Sequence, residues 1–212
     1  MKNLKSMLQF SHWRPQKRAS STKHCYQKVL EVWCNADVVC FDMDSTVCLD
    51  EGIDELVEFC GAGKAVAEWT ARAMSGSIPF EDALAARLSL FNPSIAQVQD
   101  FLEKRPPSMY FPVDHIFANQ LLFGSAGEFL GFDTDEPTSR SGGKAIAVQQ
   151  IRKANGYKSL VMIGDGATDL VARKPGGADL FICYAGVQLR EAVAAKADWL
   201  VFNFKDLIDS LE

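Results

Sequence analysis

Four short apolar runs are the feature of this sequence that most restricts its fold. They are Val38–Phe41, Leu160–Ile163, Leu180–Ala185 and Trp199–Phe202. Short runs of this composition predict strands that are buried on both faces, which is typical of a parallel sheet. Helical segments separate the runs in the second half of the chain, near 144–155, 168–173 and 189–195. This alternation predicts an α/β fold with a Rossmann-like, doubly wound parallel sheet.

A block of helical periodicity interrupts the alternation after the first run. Its clearest repeat follows the i, i+3, i+4, i+7 spacing of one helix face and consists of Ile53, Leu56, Val57 and Cys60. Ser94 is placed to cap a later helix of the block, which ends at Pro106–Pro107. Beyond it, the glycines between Leu121–Phe123 and Phe129–Phe132 predict a hairpin. We predict three parts: a tail at 1–28, a helical cap at 51–105, and an α/β core at 29–50 and 106–212.

Charge is distributed unevenly along the 212 residues. Residues 1–28 contain seven Lys and Arg and no Asp or Glu, so the net charge of −5 leaves −12 on the remainder. An acidic body argues against nucleic-acid binding, and no apolar run is long enough to span a bilayer. The basic, serine-containing tail fits an organellar transit peptide, with a plain disordered tail as the alternative. The six cysteines lack zinc-ligand spacing, which favours reduced thiols.

Carboxylates follow two of the predicted buried strands. Asp42 and Asp44 come after the first, and Asp165 and Asp169 after the Leu160–Ile163 run. The carboxyl ends of parallel strands meet at one edge of a sheet, so these four side chains are expected to converge there. Clustered like charges require a cation, and oxygen ligands without His or Cys favour Mg²⁺. Lys144, at the start of its own helix, supplies a further positive charge.

These residues resemble a known family. Asp42-Met43-Asp44-Ser45-Thr46, Ser141-Gly142-Gly143-Lys144 and Gly164-Asp165-Gly166-Ala167-Thr168-Asp169 match motifs I, III and IV of the haloacid dehalogenase superfamily. Together with Glu51-Gly52-Ile53-Asp54-Glu55-Leu56 and Phe117-Ala118-Asn119, they are similar to the phosphoserine phosphatases, over about residues 29–212. The tail resembles that of the plant, plastid-targeted members. The resemblance implies a plastid location, with the cytoplasm as the alternative.

The resemblance also implies catalytic roles. Asp42 is expected to attack phosphorus and form an aspartyl-phosphate, and Asp44 to act as general acid and then as general base. Mg²⁺ would be held by Asp42, Asp165 and the backbone carbonyl of Asp44. Lys144 would stabilise the transferring phosphoryl group, and Asp169 would orient the lysine or the metal ligands.

The substrate implied by the resemblance is O-phospho-L-serine, which is hydrolysed in the last step of serine biosynthesis. Glu51 is expected to bind its ammonium group and Arg87 its carboxylate. Met74 would close over the site, and Thr168 would contact the ligand from the core. A related small-metabolite phosphatase and a homodimer are left open.

One family element is missing from the sequence. In the family, a strand that ends in a phosphate-binding Ser or Thr, followed by a helix, comes between the cap and the Phe-Ala-Asn strand. Here Pro106–Val113 runs almost directly into Ile116, which leaves no room for that βα unit. The missing strand would lie beside Val38–Phe41, and a replacement strand from Ile116 is conceivable. Two functions therefore stay open: an Mg²⁺-dependent phosphoserine phosphatase, and an impaired or inactive variant without motif II.

Overall fold

The structure, a computed structural model, describes residues 21–74, 78–108 and 116–212. Its strands are β1 (Val38–Phe41), β2 (Leu121–Phe123), β3 (Phe129–Phe132), β4 (Leu160–Gly164), β5 (Leu180–Tyr184) and β6 (Trp199–Val201). Its helices are α1 (Ser21–Cys34), α2 (Gly52–Phe59), α3 (Gly63–Met74), α4 (Phe80–Phe91), α5 (Ile95–Lys104), α6 (Gly143–Asn155), α7 (Ala167–Val171), α8 (Glu191–Ala194) and α9 (Phe204–Asp209). No described helix is both long and apolar enough to cross a membrane.

In the described part of the chain, the core is a four-stranded parallel sheet in the order β1-β4-β5-β6. Val38 of β1 is in register with Leu160 of β4, and Val161 of β4 with Leu180 of β5. Every residue of β4 and β5 is buried, as their uninterrupted apolar runs predict. The four predicted strands and the α/β fold class are therefore confirmed.

Helices cover both faces of this sheet. Side chains from α1 and α9 join Val161 and Ile163 in one apolar cluster. Side chains from α6, α7 and α8 join Leu160 and Met162 in the other, since successive residues of a strand point to opposite faces. The indole of Trp33 ties α1 to α9 by donating a hydrogen bond to the carbonyl of Leu207 (3.3 Å).

Helix α1 begins earlier than the sequence indicated. Residues 1–28 were predicted to form a tail, but α1 already begins at Ser21. Its buried side chains at Val29 and Trp33 anchor it to the sheet, and helix formation extends back from that anchor. The rest of the predicted tail, residues 1–20, lies outside the described residues.

Strand β1 is an edge strand among the described residues. It has a strand neighbour on one side only, β4, and all four of its residues are partly exposed, in contrast to the buried β4 and β5. The conceivable replacement strand from Ile116 is not found, because 116–120 carry no regular secondary structure. Residues 109–115 lie outside the described part of the chain.

Helices α2 to α5 occupy the stretch predicted as a cap. Ser94 caps α5 as expected: its hydroxyl accepts a hydrogen bond from the N–H of Gln97 (3.3 Å). The N–H of Leu49 donates to the carbonyl of Ser108 (3.1 Å), so the chain enters and leaves the helical block at neighbouring points. The predicted hairpin is confirmed as the antiparallel pair β2–β3, with Leu121 opposite Phe132.

Candidate active site

The carboxyl ends of β1 and β4 bring three carboxylates together. Asp42 directly follows β1 and Asp165 directly follows β4, while Asp169 lies in the first turn of α7. One oxygen from each of the three lies within 4.8 Å of the others. Three of the four carboxylates predicted to converge therefore do so, because the two strands pair in parallel, whereas Asp44 is not part of this group. The three like charges must be compensated.

Lys144 supplies part of that compensation. Its Nζ lies 2.6 Å from Oδ1 of Asp42 and 2.7 Å from Oδ1 of Asp169. The turn before the lysine is tightly packed: Gly142 has a φ of +73°, and a Cβ on Gly143 would lie 1.5 Å from the carbonyl oxygen of Pro137. The two carboxylates outweigh burial and raise the pKa of Lys144, so the ammonium stays charged between them.

Asp169 is completely buried. Its Oδ2 accepts a hydrogen bond from the N–H of Gly166 (2.9 Å), while Oδ1 faces Lys144. Burial, together with the charge of Asp42, raises the pKa of Asp169 to about 7, against the opposing effects of Lys144 and the Gly166 N–H. Both oxygens of this carboxylate are therefore engaged within the protein.

Asp44 is turned toward the helical block. It lies in a tight turn, Met43–Val47, in which Ser45 adopts a left-handed conformation with a φ of +54°. Its Oδ1 accepts a hydrogen bond from the N–H of Gly52, at the start of α2 (3.1 Å). Burial raises the pKa of Asp44, and the charge of Asp42 adds to the effect. A carboxyl group with a raised pKa beside a carboxylate is suited to act as a general acid.

Glu51 stands at the N-terminal end of α2, between the helical block and the core. Its Oε1 accepts a hydrogen bond from the hydroxyl of Ser45 (3.1 Å) and lies 3.9 Å from Nη2 of Arg190. Burial raises the pKa of Glu51, and the nearby Asp44 strengthens that rise. A partly desolvated carboxylate of this kind can bind an ammonium group.

Arg190 is a site residue that the sequence pattern did not reveal. It directly precedes α8, and its Nε donates to Oδ2 of the buried Asp165 (2.8 Å) while its Nη2 faces Glu51. Burial raises the pKa of Asp165, and Arg190 opposes that rise. The available signal was a basic residue in the loop after the predicted strand Leu180–Ala185, which ends at the same sheet edge.

The three remaining residues predicted to contact the substrate are Arg87, Thr168 and Met74. Arg87 is buried in α4 and forms an ion pair with Asp54, and its Nε has no hydrogen-bond partner among the described residues. Asp54 in turn acts electrostatically on Asp44. Thr168 is exposed near the cluster at the start of α7. Met74 ends α3, and its side chain is outside the described part of the structure.

The chain is similar in sequence to proteins of known function. No protein-family model matches it. It is 61% identical to the chloroplastic phosphoserine phosphatase of Arabidopsis thaliana, over 88% of this chain and 75% of the relative. The phosphoserine phosphatase of Mus musculus is 38% identical, over 88% of this chain and 98% of that one. The chain belongs to the phosphoserine phosphatase family.

Solved structures agree with this membership at the level of the fold. A substrate-bound phosphoserine phosphatase complex matches with a TM-score of 0.67 at 21% identity, over 82% of this chain and 97% of that one.

The alignment with the Arabidopsis phosphoserine phosphatase covers 222 positions. Since 88% of 212 residues take part, about 35 positions of that alignment have no residue from this chain.

Proposed function

We propose that this chain hydrolyses O-phospho-L-serine to L-serine and phosphate in an Mg²⁺-dependent reaction, the last step of serine biosynthesis. The observation that carries the proposal is the position of the Lys144 ammonium, 2.6 Å from Asp42 and 2.7 Å from Asp169, beside the buried Asp165. A fixed cation beside a partly exposed carboxylate at a strand end provides a nucleophile and a charge to stabilise a transferring phosphoryl group. Family membership supports the choice of reaction.

In the proposed reaction, Asp42 accepts the phosphoryl group and Asp44 transfers the protons. An oxygen of Asp42 attacks phosphorus, and the bond from phosphorus to the serine oxygen breaks. Asp44 gives its proton to that departing oxygen, which its raised pKa favours. Asp44 then accepts a proton from the water that attacks the aspartyl-phosphate, so that inorganic phosphate leaves and Asp42 is regenerated. Lys144 holds the phosphoryl oxygens throughout.

The donor atoms at this site suit Mg²⁺. All candidate ligands are oxygens, which a hard ion prefers, and three like-charged carboxylates lie within 4.8 Å of one another. We assign Asp42, Asp165 and the backbone carbonyl of Asp44 as ligands. Both oxygens of Asp169 already accept hydrogen bonds, from Lys144 and Gly166, which leaves Asp169 to position the lysine. When bound, the ion neutralises the phosphate and the nucleophile together.

Substrate recognition falls to the helical cap that we assign to residues 51–105. Glu51 would bind the ammonium group and Arg87 the carboxylate, whose two oxygens match a guanidinium fork. Arg87 is now paired with Asp54, so the substrate carboxylate replaces that partner on binding. Met74 would close over the ligand, and Thr168 would contact it from the start of α7.

Two observations favour reduced activity as a second candidate. Strand β1 has no neighbour on its outer side among the described residues, and about 35 positions aligned with the Arabidopsis relative are missing here. Both fit the absence of the motif II strand and of its phosphate-binding hydroxyl. By analogy with an oxyanion-hole donor, its loss would lower the rate by about 10²–10³. The chain would then be a slow phosphatase or an inactive family member.

A plastid location is also part of the proposal. It is supported by the acid-free, basic residues 1–28 and by the chloroplastic relative from Arabidopsis. A fusion of residues 1–28 to a fluorescent protein should enter plastids, and cytosolic fluorescence would favour the alternative.

Phosphate release from O-phospho-L-serine tests the reaction. The chain is assayed with Mg²⁺, with EDTA, and as the Asp42→Asn variant, which replaces one oxygen of the nucleophile by a nitrogen. We expect release that needs both Mg²⁺ and Asp42. No release from a protein that is soluble and unfolds cooperatively would identify an inactive member of the family, whereas an aggregated chain would show that the missing unit is needed for folding.

A further inference from the structure

Ser141 links the loop that precedes Lys144 to the first turn of α4. Its hydroxyl accepts a hydrogen bond from the N–H of Phe80 (3.0 Å) and donates one to Oε2 of Glu81 (2.9 Å). Its own N–H donates to the same Glu81 oxygen (2.9 Å). Three hydrogen bonds thus join segments about 60 residues apart.

This contact replaces a local helix cap. The first N–H groups of a helix need acceptors, and a Ser, Thr, Asp or Asn at the N-cap usually supplies one. The residue in that position of α4 is Pro79, whose side chain makes no capping hydrogen bond. Ser141 supplies the acceptor from another part of the chain. In α5, by comparison, Ser94 caps its own helix.

The short loop between Ser141 and Lys144 couples the positions of these two residues. Only two residues separate them, Gly142 with a φ of +73° and Gly143, which is packed against the carbonyl of Pro137. At the other end of the contact, α4 carries Arg87. One hydrogen-bonded contact therefore connects the helix of the proposed carboxylate-binding residue to the loop of the proposed phosphoryl-binding residue.

We infer that Ser141 and Glu81 are positioning residues that hold α4, and with it Arg87, at a fixed distance from Lys144. This inference rests on the proposed function. A substrate that touches both Arg87 and Lys144 benefits from that fixed distance, because less freedom is lost on binding. A phosphate ester without an amino-acid group touches Lys144 alone and gains nothing from it.

The test compares Ser141→Ala and Glu81→Ala with two controls. Ser94→Ala removes a helix cap whose side-chain hydrogen bonds stay within the first turn of α5, between Ser94 and Gln97. Ser141→Thr retains the hydroxyl. KM and kcat are measured for O-phospho-L-serine and for p-nitrophenyl phosphate. Loss of an N-cap contact predicts a KM for O-phospho-L-serine raised by about fivefold in both alanine variants. It predicts a clearly smaller change in KM and kcat for p-nitrophenyl phosphate, which touches Lys144 but not Arg87. For both controls it predicts the same constants as for the unsubstituted chain.

Hydrogen exchange of the same proteins provides a second readout. Ser141→Ala should speed exchange both in the first turn of α4 and in residues 141–144, whereas Ser94→Ala should speed it in α5 alone. An unchanged KM for O-phospho-L-serine, or equal losses for both substrates, would overturn the inference. If the unsubstituted chain releases no phosphate, the proposed function fails. The contact can still be tested by hydrogen exchange alone: faster exchange in only one of the two linked segments of Ser141→Ala would refute it.

Discussion

Replacement of Lys144 by methionine tests the electrostatic balance of the site. The substitution keeps most of the side-chain volume but leaves Asp42 and the fully buried Asp169 without their shared cation. Each contact, at 2.6–2.7 Å, corresponds to a gross attraction of about 6 kcal/mol at an effective dielectric constant near 20. Much of that offsets the cost of desolvation, and breaking a buried pair usually costs about 3–5 kcal/mol.

We expect a loss near the lower limit, about 3 kcal/mol in the free energy of unfolding, because the lysine side chain is 30% exposed. The assay is urea unfolding in EDTA at neutral pH. Lys205→Met is the matched control: its ion pair with Asp209 is equally short, at 2.6 Å, but exposed. It should change stability by less than about 0.5 kcal/mol.

A second substitution separates charge from packing. Adding Asp169→Asn to Lys144→Met removes the buried carboxyl group that has lost its cation, and it should recover part of the lost stability without restoring phosphatase activity. The proposed charge balance is wrong if Lys144→Met unfolds like the unsubstituted chain, or if Lys205→Met costs as much.

Two further predictions concern substrate and metal. Arg87→Lys should raise KM for O-phospho-L-serine by about tenfold with little change in kcat, because an ammonium lacks the fork that pairs with a carboxylate; a kcat effect alone would argue against the assignment. Burial raises the pKa of Asp44, Glu51 and Asp165, and that of Asp169 to about 7. In this pH range the folded protein therefore binds more protons than the unfolded chain. The free energy of unfolding of the metal-free protein should fall as pH rises from about 4 to about 7. Mg²⁺ should therefore raise the melting temperature more at about pH 8 than at about pH 5, and the reverse order would contradict the assignment.

The sheet and the carboxylate cluster could be predicted because local signals determine them. The runs at β4 and β5 are apolar at every position, which a strand buried on both faces requires. Once β1 and β4 lie side by side in parallel, Asp42 and Asp165 must share an edge of the sheet. The residue type at Lys144 then matches the charge that the carboxylates need.

Contacts between distant segments could not be predicted in this way. The position of Arg190 in the loop after a strand does not by itself identify Asp165 as its partner, and the partner of Arg87 in the structure is Asp54. The cap that Ser141 provides for α4 spans about 60 residues and has no local pattern. The early start of α1 was hidden because its first residues are polar and basic, while the side chains that anchor it, Val29 and Trp33, come later.

Detection of a phosphoryl group on Asp42 is the decisive measurement for the proposed reaction. The full chain is mixed with O-phospho-L-serine and Mg²⁺, quenched in acid within one turnover, digested, and analysed by mass spectrometry. We predict a phosphoryl group on the peptide that contains Asp42, and none in the Asp42→Asn variant or in EDTA. Phosphate release without this modification, or an unmodified Asp42 in a folded, Mg²⁺-loaded protein, would contradict the proposed reaction.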